Sequence, residues 1–130
     1  MYWRREKYLS EIDEYMDKAN DKLISAKALY DIGQFATSVS ACYYCMFNTA
    51  KALLIIKGFK PKTHKGVISL FGQEYVLNDS FDRRISKYLS STQSLRESAD
   101  YEAVDNINEK IAYDSIVNAE LFMKEAKKFL

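Results

Sequence analysis

The sequence contains few of the residues that break helices or bind metals. Only one proline and four glycines occur in 130 residues, and His64 is the sole histidine. A chain with so few breakers favours long helices over turn-rich β structure. One histidine cannot supply the paired Glu-x-x-His motifs of a di-metal helical bundle. That class of metalloprotein is therefore excluded, and we expect neither a metal nor a cofactor.

Cysteine is also scarce, and the two that occur, Cys42 and Cys45, lie in one apolar stretch. A zinc site would need a second pair of ligands, and a redox motif would need a strand-to-helix turn. We therefore expect buried thiols that behave as small hydrophobic side chains. Reduced thiols, and a charged rather than apolar segment from Met1 to Ser10, predict a cytoplasmic protein.

The chain has almost no excess of charge of either sign. Nineteen Lys and Arg residues face 18 Asp and Glu, a formal net charge of +1. Contact with a nucleic acid would therefore require a local basic patch. The longest apolar stretch, residues 41–56, is interrupted by Asn48, Thr49 and Lys51, which favours a buried helix over a membrane span. The length and the 48% hydrophobic content predict one domain, residues 1–130, around a single core.

The spacing of apolar residues predicts two long helices at the start of the chain. In the first helix, apolar residues recur at intervals of three and four: Leu9, Ile12, Met16, Ala19, Leu23, Ala26 and Tyr30. Gly33 is placed to end this helix in the left-handed conformation. The second helix is predicted from Gln34 to Lys57. It is apolar on several sides, which is typical of a central helix.

Capping residues indicate where the later helices begin. Thr63 is expected to cap the third helix, Asn78 or Asp79 the fourth, and Asn106 the last. The polar stretch from Arg96 to Asp105 is expected to be partly irregular. Short connections make neighbouring helices antiparallel, and no segment alternates with a period of two. The sequence therefore predicts an all-α, antiparallel up-and-down bundle of four to five helices.

Two polar segments are candidates for function. The first carries Lys62, His64 and Lys65 at a predicted helix start, where free N–H groups and the helix dipole favour anions. One interpretation is a weak contact site for phosphate or RNA. The other is a solvated basic loop in which His64 packs on a neighbouring helix.

The second segment brings Arg96, Asp100 and Tyr101 within six residues. If the helix continues, Arg96 and Asp100 lie four residues apart and can pair on one face. One interpretation is that ion pair together with a tyrosine ring that packs. The other treats Arg96 as a phosphate clamp and Tyr101 as a group that stacks on a base or donates a proton.

Three segments of the chain resemble the HEPN domain family. Residues 41–54, ACYYCMFNTAKALL, resemble the second-helix signature of HEPN domains. Residues 62–72, KTHKGVISLFG, and the later Arg96-x-x-x-Asp100-Tyr101 resemble a prokaryotic subgroup of small HEPN proteins. The resemblance covers almost the whole chain. It implies an all-α fold, a homodimer and a partnership with a minimal nucleotidyltransferase in a toxin–antitoxin pair.

Many HEPN proteins are metal-independent ribonucleases, in which an arginine is followed four to six residues later by a histidine, and both subunits contribute to a shared cleft. Here Arg96 matches the arginine, but residues 99–102 read Ala-Asp-Tyr-Glu where the histidine would fall. Tyrosine, with an ordinary pKa of about 10, carries protons poorly at neutral pH. His64 lies in a different predicted helix, and the resemblance assigns it no role.

The resemblance therefore implies a protein that binds nucleotide or RNA and lacks the usual catalytic histidine. Arg96 would contact phosphate, Asp100 would orient Arg96, and Tyr101 would stack on a base or donate a hydrogen bond. Two alternatives remain. One is a metal-independent endoribonuclease with an altered site of Arg96, Asp100 and Tyr101. The other is a non-catalytic dimerisation or interaction module.

Overall fold

The computed structural model describes residues 2–102 and 106–130, with side chains from Leu9 onward. No strand occurs in these ranges, which confirms the all-α class. The helices, in chain order, are α1 (Tyr2–Asp31), α2 (Phe35–Ile56), α3 (His64–Phe71), α4 (Arg83–Tyr101) and α5 (Glu109–Ala126). A π-helical segment, Gly72–Leu77, continues α3, and a 3₁₀ turn, Lys127–Phe129, follows α5.

The turn between α1 and α2 forms as the sequence predicts. Gly33 has a φ of 80°, and the Gln34 N–H donates to the Leu29 carbonyl at 2.8 Å. This pairing closes a helix through a left-handed glycine. The turn is short, so α2 returns antiparallel along α1.

Small side chains form much of the contact between α1 and α2. Ala19 and Ala26 are fully buried, and the Ser38 hydroxyl donates to the Ala26 carbonyl at 2.7 Å. The predicted stripe of α1 is thus largely confirmed, since Ile12 is also buried. Its first member, Leu9, is 48% exposed and lies outside the core.

Helix α2 lies at the centre of the bundle and contacts α1, α3, α4 and α5. Within the described ranges it is the one helix that is long and apolar enough to cross a membrane, and 78% of its most apolar window is buried inside the fold. That burial is typical of a core helix. Cys42 and Cys45 are buried free thiols, as predicted, and burial raises the pKa of each to about 12.

The predicted start of α3 is confirmed, and that of α4 is wrong. Thr63 caps α3 by accepting the Gly66 N–H at 2.9 Å. Asn78 and Asp79 do not cap α4, because the π-helical segment extends to Leu77 and both lie in the turn that follows. The cap of α4 is Asp82, which accepts backbone N–H groups from the first turn.

The predicted start of α5 is also wrong, by two residues. Asn108, not Asn106, caps the helix and accepts the Ile111 N–H at 2.9 Å. Helix α4 is regular through Tyr101, so the expected irregularity is wrong for residues 96–101. Glu102 has extended backbone, as that expectation allows, and the rest of it, residues 103–105, falls outside the described residues.

Five aromatic rings pack against one another in the core where α3, its π-helical extension, α4 and α5 meet. We call them the sealed aromatic core: Phe71, Tyr75, Phe81, Phe122 and Phe129. The first four are at most 3% exposed. The buried carboxylate of Glu125 accepts the Asp82 N–H at 2.8 Å, which ties α5 to the start of α4.

Candidate functional site

A second group of aromatic rings, which belongs to α2, surrounds the sole histidine of the sequence. His64 is the first residue of α3, and its half-buried ring stacks on Phe47 with centroids 4.2 Å apart and planes 16° apart. Tyr44 meets the same imidazole edge-on, with centroids 5.9 Å apart. The His64 Nδ1 lies 2.7 Å from the Tyr43 hydroxyl. Three residues of α2 therefore fix the orientation of the imidazole.

The hydrogen bond between the Tyr43 hydroxyl and the His64 Nδ1 is linked to the tautomer of the imidazole. Tyr43 is fully buried, and this burial raises its pKa well above the ordinary value. The phenol therefore keeps its proton and can donate it to His64 Nδ1 in one of the two tautomers of the neutral ring. A neutral imidazole that accepts at Nδ1 carries its own proton on Nε2. His64 can thus donate a hydrogen bond to an acceptor outside the cluster.

His64 is held in the neutral form by its surroundings. Burial lowers its pKa below the usual 6.5, and the positive charges of Arg96 and Lys51 lower it further. Glu97 acts in the opposite direction with a smaller effect. An anion that binds nearby would offset the two cations. The protonation of His64 is therefore linked to anion binding.

Arg96 projects from α4 onto the same tyrosines. Its guanidinium carbon lies 5.2 Å from the ring centroid of Tyr43 and 5.5 Å from that of Tyr44. The Nη1 group donates to the Asp100 carboxylate at 3.2 Å, so the predicted pair is confirmed. The side chain is 19% exposed, and its Nε is buried without an acceptor in the described part of the chain. A buried donor without a partner is rare and costly.

Arg96 and Asp100 also line an open cleft of about 160 Å³ beside the start of α2. The other lining residues are Ala36, Thr37, Ser40 and Ala99. No side chain caps α2, whereas side chains cap α3, α4 and α5. The cleft therefore combines a cation, hydroxyl groups and the positive end of a helix dipole, a combination that favours an anion.

The structure brings together some of the predicted site residues and separates others. Arg96, Asp100 and His64 share one region, which we call the Arg96–His64 cluster together with Tyr43, Tyr44 and Phe47. Tyr101, at the end of α4, is 88% exposed and does not line the Arg96 cleft. Lys65 lies in a groove beside Gln93 and Glu97, and Lys62 lines a different cleft near α1. The roles predicted for these residues stay predictions.

Sequence reasoning missed the proximity of His64 to Arg96 and the part that Tyr43 and Tyr44 play in holding them. The cluster draws its members from α2, α3 and α4, so no spacing along the chain reveals it. A usable signal was the dense aromatic face of α2 beside a lone histidine. Among residues 2–102 and 106–130, no three His, Cys, Asp or Glu side chains are grouped so that they could hold a metal ion.

The bundle is similar to a known structure. A solved structure of TT1696 from Thermus thermophilus superimposes with a TM-score of 0.78, covering 92% of this chain and 98% of that one at 11% identity. At this identity the likeness concerns the fold alone. It confirms the predicted helical-bundle class.

The family is established by sequence. The model of the HEPN domain matches residues 12–129, so the chain belongs to the HEPN family. It is 31% identical to "Putative toxin MJ0142" of Methanocaldococcus jannaschii, over 95% of this chain and 84% of that protein. It is 34% identical to "Putative toxin MJ0605" of the same organism, over 92% of this chain and 89% of that protein. A UPF0332 protein of Gloeobacter violaceus is 34% identical over 92% of this chain and 96% of its own length.

Proposed function

We propose that this HEPN protein binds RNA, with a phosphate group of the RNA held at the Arg96–His64 cluster. The observation that carries the proposal is the state of Arg96. Its guanidinium lies against two tyrosine rings, and its Nε is buried with no acceptor in the described part of the chain. A buried cation with an unpaired donor adds little to the stability of the fold. A phosphate ligand would accept the hydrogen bond that the Arg96 Nε lacks.

The surroundings of Arg96 support a phosphate in particular. The adjoining cleft offers the hydroxyls of Thr37 and Ser40 and the uncapped first turn of α2. His64, whose neutral ring carries an Nε2–H donor in the tautomer that accepts from Tyr43, is close enough for the charge of Arg96 to lower its pKa. Cations interleaved with aromatic rings are typical of surfaces that bind single-stranded nucleic acid without reading its sequence. Asp100 would hold the guanidinium in position through the 3.2 Å hydrogen bond that it accepts from Arg96.

A second candidate function is metal-independent cleavage of RNA. The observation that favours it is the proximity of the only histidine to Arg96, since these are the residue types that the family's ribonucleases use. When the Tyr43 hydroxyl donates to Nδ1, the proton of the neutral imidazole is on Nε2. His64 would then accept a proton at Nε2 only after its ring exchanges tautomers, and it would donate a proton only from the imidazolium form.

The family also supports proposals about partners. Two relatives carry names that contain the word toxin, which supports a toxin-like role. A nucleotidyltransferase-type partner is proposed from the resemblance to small HEPN proteins alone. A homodimer is supported by an apolar stripe along the outside of α5, formed by Tyr113, Val117 and Leu121. Free buried thiols support a cytoplasmic location.

The test of RNA binding compares two arginines of α4. Arg96→Ala should weaken binding of a single-stranded RNA by about tenfold to a hundredfold, because a charge-assisted hydrogen bond is lost. Arg84→Ala removes the same charge from an exposed position on the same helix, and it should change affinity less than about twofold. Fluorescence anisotropy with a labelled oligonucleotide measures both. Equal affinity of the Arg96→Ala and wild-type proteins would contradict the proposal.

The test of cleavage uses the same RNA in the presence of a metal chelator. Products that appear with the wild-type protein and vanish with His64→Gln would establish the ribonuclease. Intact RNA after prolonged incubation at high protein concentration would leave binding as the function of the cluster. The mass of the protein in solution tests the dimer separately, and a strict monomer at micromolar concentration would contradict that part.

A further inference from the structure

A second cleft lies beside the Arg96–His64 cluster, between α1, α2 and the loop that leads to α3. It has a volume of about 340 Å³, at the small end of the range for sites of organic ligands. Tyr15, Ile55, Phe59 and Pro61 form its apolar walls. Its polar lining consists of Glu11, Lys51, Lys60 and Lys62, which is three cations to one acid. We call it the Tyr15 cleft.

Lys51 joins this cleft to the Arg96–His64 cluster. Its ammonium lies 4.6 Å from the ring centroid of Tyr15 and 5.6 Å from that of Phe47, the ring on which His64 stacks. The positive charge of Lys51 also lowers the pKa of His64, as expected for a near neighbour. Contacts between rings and cations are therefore continuous from Arg96, through the buried rings of Tyr43 and Phe47, to Tyr15.

The charge of Lys51 has no acidic partner among the described residues. Its contacts are the faces of two aromatic rings, which hold the ammonium without neutralising it. Lys62 is exposed on the rim and likewise forms no ion pair within the described ranges. The one acid of the lining, Glu11, pairs with Lys60 at 2.7 Å. This pairing leaves Lys51 and Lys62 as positive charges without an ion pair among the described residues. Beside the apolar walls, these two charges are complementary to a ligand with a flat apolar body and a negative group.

We propose that the Tyr15 cleft takes the base of a second nucleotide of the bound RNA strand, with Lys51 and Lys62 on the phosphates that flank it. This rests on the proposed function, since the first phosphate of the strand lies at Arg96. The base packs in the apolar part of the cleft, in contact with Tyr15 and Phe59. Base–aromatic contact tolerates any sequence, so the cleft adds affinity for single strands without a preferred motif.

The experiment measures affinity against length. Oligonucleotides of 2′-O-methyl RNA, which resist cleavage, range from a dinucleotide to an octanucleotide, and mononucleotides are included. Wild-type affinity should rise in a step at the length that reaches both sites. Tyr15→Leu keeps an apolar side chain but removes the ring, so it should abolish the step, a loss of about tenfold for the octanucleotide. The dinucleotide should bind as it does to the wild type.

Two further variants keep the result interpretable if Tyr15→Leu alters packing. Tyr15→Phe retains the ring and should bind every length as the wild type does. Lys62→Ala changes an exposed side chain and should lower the octanucleotide affinity while leaving the dinucleotide affinity unchanged. A step that persists in both Tyr15→Leu and Lys62→Ala would overturn the proposal.

The outcome is distinct from failure of the proposed function. If Arg96→Ala leaves all lengths unaffected, RNA binding at the cluster is wrong. If Arg96→Ala weakens all lengths while the step survives in the Tyr15 and Lys62 variants, only the Tyr15 cleft is wrong. A mononucleotide that binds as tightly as the octanucleotide, and loses this affinity in Tyr15→Leu, would also overturn the strand proposal, because the cleft would then serve a free nucleotide.

Discussion

The molecule contains two aromatic clusters that differ in what accompanies the rings. In the sealed aromatic core, the rings of Phe71 and Phe122 meet other rings with centroids 4.9–5.8 Å apart, and the one hydroxyl, that of Tyr75, donates to the Leu53 carbonyl. In the Arg96–His64 cluster, similar ring contacts surround an imidazole and a guanidinium. Aromatic packing stabilises both regions, but only the second holds polar groups that the fold leaves unsatisfied.

This difference separates the residues that maintain the fold from those that are available to a ligand. Burial of an aromatic side chain contributes several kcal/mol without any need for a partner outside the chain. Burial of a cation lowers the stability of the fold unless its hydrogen-bond donors are paired. We therefore expect changes in the sealed aromatic core to lower stability most, and changes in the Arg96–His64 cluster to lower RNA binding most.

The largest effect on stability is expected from Phe122→Ala. Phe122 is fully buried among other rings, so its truncation leaves a cavity and should lower the free energy of unfolding by about 3–5 kcal/mol. Unfolding in urea, followed by circular dichroism, measures the change. Tyr101→Ala, at an exposed position, should stay within about 0.5 kcal/mol of the wild type. Equal losses for the two variants would mean that the core is not sealed as described.

Arg96→Met is expected to abolish RNA binding while it leaves stability nearly unchanged. Methionine fills a similar volume against the two tyrosine rings and removes the buried donor that lacks an acceptor. We expect the free energy of unfolding to remain within about 1 kcal/mol of the wild type, or to increase, while RNA binding is lost. The same urea titration and an anisotropy measurement test both parts. A loss of stability as large as that of Phe122→Ala would remove the distinction between the clusters.

A smaller effect is expected from pH. The pKa of His64 is lowered in the folded protein, so its contribution to stability is complete above the unfolded value of about 6.5 and is lost as the pH falls through the folded pKa. A bound phosphate should raise this pKa. RNA affinity should therefore increase as the pH falls from about 7.5 to about 5.5, and the increase should be absent in His64→Gln.

The imidazole can be followed directly in this protein. His64 is the sole histidine, so its proton resonances need no assignment by mutation. Nuclear magnetic resonance titration with and without a short RNA should give a higher pKa in the complex. An unchanged pKa would place His64 outside the reach of the phosphate.

The smallest effect concerns the thiols of the core. Burial raises the pKa of Cys42 and Cys45 to about 12, so very little thiolate exists at pH values near 8. Ellman's reagent should modify them only as fast as the protein opens. Phe122→Ala should accelerate the reaction and Arg96→Met should not. Rapid modification of the wild type would show that the centre of α2 is accessible.

The sequence predicted the parts of the fold that depend on local signals. The stripe of α1, the turn at Gly33 and the cap at Thr63 each rest on residues close together in the chain. The starts of α4 and α5 were missed because several good caps stand side by side there. The choice of Asp82 depends on a distant contact, since the carboxylate of Glu125 accepts its backbone N–H.

The same reasoning applies to the site. The pairing of Arg96 with Asp100 was predictable, because residues four apart on a helix share a face. The position of His64 beside Arg96 was not, because it depends on how α3 and α4 are rotated against α2. The resemblance to HEPN domains gave the family, which is confirmed, but its adjacent Arg-and-His motif directed attention to Tyr101 rather than to His64.

The origin of the cluster in three helices affects when it forms during synthesis. Tyr43 and His64 leave the ribosome first, and Arg96 follows in a helix that must dock on α2 before the cluster is complete. Domains generally fold as units. The cluster is therefore complete only once α4 has packed against α2, and the part of the chain that precedes Arg96 cannot form it alone.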